Sequence, residues 1–101
     1  MITITLDLVV KSNWYDMIES DIKKEEYREV KPFWIKRLID NYEMLECNHE
    51  FKHFDAVRFH RGYTNKACTF KLRGITIGKG NPEWGAPDKE VFILKLGDSL
   101  S

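Results

Sequence analysis

Between Ala67 and Gly78 the apolar residues Cys68, Phe70 and Leu72 occupy alternate positions, and beyond Gly74 the apolar set moves to Ile75 and Ile77. Alternation with period two marks a half-buried strand, so a change of parity inside it means that the pleat is interrupted. A glycine at that point predicts a β-bulge, the device that bends a strand around a small barrel. The flanking segments suit such a sheet. Even positions from Ile2 to Val10 are apolar while odd ones include Thr3, Thr5 and Asp7, which predicts another half-buried strand. Further strands are expected over Ala56 to Tyr63 and Glu90 to Leu96. Within the latter, Val91-Phe92-Ile93-Leu94 reads as a central strand buried on both faces.

Two short helices precede these strands. Ser12 or Asn13 can cap the first, whose apolar face is Trp14, Met17 and Ile18, and Asp21 ends it. Pro32 suits the first turn of the second, with a stripe of Ile35, Leu38, Ile39 and Tyr42 and with Trp34 at its edge. Residues 43–55 are mixed and read as a loop, with or without a helical turn, and Gly78 to Pro87 as a long connection before the last strand. The expected class is α+β: a small mixed β-barrel of about five strands, closed or nearly closed, with the helices inserted in the first half. Helices do not alternate with strands in the second half, which argues against a doubly wound fold.

A chain of 101 residues supports one domain, taken as 1–101. Sixteen basic and sixteen acidic residues cancel, so net charge neither demands nor excludes a nucleic-acid partner. Local clustering decides. No apolar run approaches the roughly 20 residues of a membrane span, so no membrane partner is expected. The opening Ile2-Thr3-Ile4-Thr5-Leu6 lacks the features of a secretory signal. Cys47 and Cys68 are read as reduced thiols, which points to the cytoplasm, and no motif calls for a cofactor.

The densest charge lies in Lys23-Lys24-Glu25-Glu26-Tyr27-Arg28-Glu29. On a strand, Glu26 and Arg28 share a face and can pair, whereas strict alternation sends Lys23 to the other face. The three converge only if Lys23 lies just before the regular strand begins. An arginine held by a carboxylate is oriented for bidentate capture of phosphate or a base edge, and a nearby lysine adds a second donor. The bland reading is a solvated edge strand whose charges block aggregation. Tyr27, on the opposite face, reads as packing.

Lys23, Glu26 and Arg28, following a short amphipathic helix with Lys11, Trp14 and Ile18, resemble the Gly-x-Lys-x-x-Glu-x-Arg pattern of the ASCH family in the PUA-like superfamily, with Asp21 in place of the glycine. Aspartate tolerates φ > 0 better than most residues, so the turn is expected to be retained. The resemblance implies a PUA-like barrel whose cleft accepts RNA or a nucleotide on Lys23, Glu26 and Arg28. Two other regions could complete the cleft. Arg58, His60 and Arg61 with Lys71 and Arg73 offer basic groups for a nucleic-acid backbone, or a polar outer face. Trp84, in Asn81-Pro82-Glu83-Trp84-Gly85, offers a ring for base stacking, as does Trp34, unless Trp84 plugs one barrel end.

One ASCH branch also implies an alternative, a small hydrolase acting on a modified nucleoside, like the acetylcytidine amidohydrolases, or on RNA. Lys23 matches that branch's catalytic lysine and Glu83 its distant glutamate by position, but Glu26 stands where the branch has a threonine. Catalysis would then rest on Lys23, Glu26 and Glu83, with carboxylates activating water. A last motif, His49-Glu50-Phe51-Lys52-His53, matches HExxH, which holds zinc when a helix presents both imidazoles. Its weak apolar anchoring and lack of a recognisable third ligand argue against a metal site.

Overall fold

The computed structural model describes residues 3–40 and 50–100. In chain order the elements are β1 (Thr5–Val10), α1 (Ser12–Glu19), β2 (Glu25–Glu29), α2 (Pro32–Leu38), β3 (Ile39–Asp40), β4 (Glu50–Phe51), β5 (Ala56–Arg61), β6 (Ala67–Lys79), a 3-10 turn (Pro82–Trp84) and β7 (Glu90–Ser99). Five strands form one sheet in the order β1-β5-β6-β7-β2, and β3 pairs with β4 separately. The sheet is a curled half-barrel. β1 runs parallel to β5 and the other pairs are antiparallel. Of the two expected forms, closed and nearly closed, full closure is not reached: β1 and β2 are the two edges, and they do not pair with each other.

The bend lies where the parity change placed it. The β6–β7 register shifts between Phe70 and Leu72 and again between Leu72 and Gly74, carrying the inward set from Cys68 and Phe70 to Ile75. β7 is buried on both faces for an identifiable reason. Phe92, Leu94 and Leu96 face the main core with Leu6, Leu8, Phe59 and Phe70, while Val91 and Ile93 form a second cluster with Tyr27 and Ala86, against which Trp84 packs. The segment before β7 folds back over the outer side of β2 and β7.

Several expectations are corrected in detail. β1 starts at Thr5, and Ile4 is exposed. The N-cap of α1 is Lys11, without a side-chain cap bond, and the buried residues of the helix are Tyr15 and Ile18 rather than Trp14 and Met17. Tyr15 is drawn inward by its place over the half-barrel, which simple i, i+3, i+4 counting from Trp14 does not capture. α2 ends at Leu38, and Ile39 leaves it with extended φ and ψ to enter β3. Tyr42 lies outside the described residues. β5 stops at Arg61, because Gly62 turns with φ 55° and Tyr63 is fully exposed. No helix among the described residues is long and apolar enough to cross a membrane.

The described part of the HExxH stretch, from Glu50 to His53, is not helical. Glu50–Phe51 is a strand, His53 is exposed and bonded through Nε2 to Asp55 at 2.8 Å, and His49 lies outside the described residues.

Asp55 clasps the start of β1: its carboxylate accepts from the Ile4 amide at 2.8 Å, and its own amide donates to the Ile4 carbonyl. The first of these bonds, then the bond to His53, holds the carboxyl below its ordinary value. A depressed carboxyl stabilises the fold above its unfolded pKa, about 3.9, and that contribution is lost as pH falls through the folded value. Wild type is therefore expected to melt above Asp55→Asn at neutral pH. The gap should close when melting is followed down to about pH 2.

Candidate functional site

The site begins at the end of α1. Asp21 adopts φ 69°, the positive value expected of the residue standing at the turn, and is the only non-glycine to do so among the described residues. The amides of Ile22 and Lys23 both donate to the Met17 carbonyl, at 2.9 and 3.0 Å, so the chain folds back tightly under the helix. Lys23 thus precedes β2, as convergence requires. Its Nζ lies 3.2 Å from Glu26 Oε1, while Arg28 donates from Nη1 to Glu26 Oε2 at 2.8 Å. The three residues meet on one carboxylate.

Lys23 is nonetheless only 1% exposed. Its ammonium donates to the Trp84 carbonyl and lies 5.2 and 4.7 Å from the Trp14 and Tyr27 ring centres. Burial pushes the ammonium below the ordinary lysine range, and the Glu26 carboxylate opposes that shift. The lysine lies beneath the turn and is not among the residues that line the neighbouring groove.

Arg28, partly buried, does line a groove. Besides Glu26 it donates from Nη1 to the Tyr27 carbonyl and from Nη2 to the Val9 carbonyl at 3.2 Å, so its side chain spans the unpaired edges of β1 and β2. The guanidinium sits 5.2 Å from the centre of the Trp34 ring. These three bonds leave part of its five-donor capacity for a ligand.

Along this seam runs a groove of about 580 Å³. β1 and β2 line it, together with Lys11 and Trp14, Phe33, Trp34 and Arg37 from α2, and Trp84 with Gly85. Arg37 lies 5.5 and 5.8 Å from the Phe33 and Trp34 ring centres and, like Lys11, has no ion pair among the described residues. The acids lining the groove are already engaged, Asp7 by His60 and Glu26 by its two cations. Cations and aromatic rings therefore dominate the open surface.

Of the residues anticipated from sequence, Lys23, Glu26 and Arg28 come together, and Trp34 and Trp84 join them as walls. Arg58 and Glu83 do not. Arg58 is exposed on β5, in register with Asp7 and Thr69, outside the groove lining. Glu83 is exposed in the 3-10 turn and also lies outside the lining, whereas Lys23 and Glu26 are buried and paired with each other. Arg61 holds α1 to β5 through both carboxylate oxygens of Asp16, at 3.0 and 3.2 Å. His60 is bonded to Asp7 at 2.9 Å.

Lys71 and Arg73 rim a separate groove of about 940 Å³ beside the end of α1. Although larger, it balances Lys24, Lys71 and Arg73 against Glu19, Asp21 and Asp98, and it contains none of Lys23, Glu26 and Arg28. The smaller groove has the chemistry. Sequence reading missed Arg37, although its spacing of three and four from Trp34 and Phe33 on one helix was a usable signal. It also missed Trp14 as a wall, treating that ring as core.

The chain matches no family model, curated protein or solved structure.

Proposed function

We propose that this chain is a cytoplasmic RNA- or nucleotide-binding module of the ASCH, PUA-like kind, binding through the seam between β1 and β2. The observation that carries the reading is Arg28: a guanidinium oriented by a buried carboxylate, set against Trp34, in a groove that adds Arg37, Lys11 and the Trp14 and Trp84 rings. Such a surface pairs phosphate with cations and bases with aromatic faces. Binding is favoured over hydrolysis because the Lys23 ammonium is enclosed and Glu83 stands apart.

Fluorescence anisotropy with labelled single-stranded RNA tests this. Affinity is expected to fall with salt along a log-log slope of roughly −2 to −3, corresponding to about four neutralised phosphates. Arg28→Ala is expected to weaken binding about 10- to 100-fold, as loss of charge-assisted bonds worth roughly 1.5–3 kcal/mol requires. Binding that ignores salt, or an Arg28→Ala protein that binds as wild type does, would defeat the proposal.

A further inference from the structure

The lysine of the motif has an unexpected place. Trp84 belongs to a turn seated closely on the motif. A Cβ on Gly80 would lie 2.3 Å from the Tyr27 ring, and one on Gly85, where φ is 94°, would lie 2.8 Å from Trp14. The Asn81 amide donates to the Tyr27 hydroxyl at 2.9 Å. Lys23 adds the charged tie to this seat, through the Trp84 carbonyl, and it is not among the residues that line the groove. From there a continuous polar chain runs from Lys23 to Glu26, from Glu26 to Arg28, and from Arg28 to the Val9 carbonyl on the opposite edge.

We infer that Lys23 is a positioning residue that sets the Trp84 wall and, through Glu26, the Arg28 guanidinium, without itself touching the ligand. This rests on the nucleotide-binding reading of the groove. An ammonium with Glu26 on one side, a carbonyl on another and aromatic rings around it has no donor directed into the groove. Its hydrogen bonds fix backbone and side-chain geometry in a region where low polarity strengthens them. The affinity of the groove then depends on a residue that the ligand never meets.

The test uses the full chain carrying 5-fluorotryptophan, with its fluorine resonances assigned by Trp84→Phe and Trp34→Phe, and a fluorescein-labelled single-stranded uridine octamer as probe. Lys23→Met is expected to move the Trp84 resonance in the ligand-free protein, to move that of Trp34 by less through the displaced Arg28 guanidinium, and to weaken octamer binding about tenfold with an unchanged salt slope. A lysine in contact with a phosphate would instead reduce the slope by about 0.7, and that result overturns the inference. So does a variant whose Trp84 resonance and affinity both match wild type. If Lys23→Met does not fold, Lys23→Met combined with Glu26→Gln removes the pair together and is read in the same way. Should wild type fail to bind the octamer, the binding reading falls, while the ligand-free Trp84 resonance still decides whether Lys23 positions the turn.

Discussion

Glu26→Ala is expected to lower stability by about 3–5 kcal/mol, the cost of stripping a partner from a buried ion pair. The Glu26 side chain is 7% exposed and lies between Lys23 and Arg28, whose side chains are 1% and 16% exposed. Alanine would leave a sealed ammonium with only a carbonyl as hydrogen-bond acceptor, and an arginine whose orienting bond is gone. For a domain of this size each kcal/mol is worth roughly 4–8 °C, so melting should fall by more than about 12 °C. Glu26→Gln keeps one acceptor and is expected to fall between alanine and wild type. Urea melts of both variants provide the check. A loss below about 1 kcal/mol for alanine would mean that the charges are solvated rather than buried together.

Phe92→Ala should be comparably damaging, at about 3–5 kcal/mol. Phe92 is fully buried on the interior strand β7, opposite Arg28 of β2 and Ile77 of β6 in register. Its ring also meets Phe51 edge to face, with centres 6.2 Å apart, which ties the β3–β4 pair to the core. Removing it opens a cavity at the junction of three elements, where collapse in one direction separates the others. Phe51→Ala, at a half-buried position, is expected to cost less. Equilibrium denaturation with matched m-values measures the difference, and equal losses would show that the junction does not centre on Phe92.

The two predictions differ in how far local sequence supports them. Phe92 stands in an apolar run that announces burial on both sides, and the β2–β7 pairing realises it. Glu26 sits in the most charged segment of the chain, where composition favours a solvated edge. Its burial follows from Gly80 to Ala86 folding back over Tyr27 and from Lys23 reaching the Trp84 carbonyl, a contact between residues 61 positions apart. No pattern within a strand or helix reports that. The departures at Tyr15 and Ile39 are also non-local: Tyr15 is covered where spacing from Trp14 pointed elsewhere, and Ile39 stays buried but leaves the helix to pair with Phe51.

Sequence by itself determined the parity of the strands, the bend near Gly74, the double-sided burial of β7, the common face of Glu26 and Arg28, and the condition that Lys23 must precede β2. These follow from side-chain directions repeating every two or 3.6 residues, and from the conformations glycine and aspartate tolerate at turns. Tertiary structure alone decided that the sheet stops short of closing, that Arg28 bridges its edges, that Arg37 and Trp14 line the seam, and that Lys23 lies sealed beneath Trp84. It also removed Arg58 and Glu83 from the groove. Those outcomes depend on which distant surfaces exclude water together, and periodicity along a chain specifies a face without specifying what will cover it.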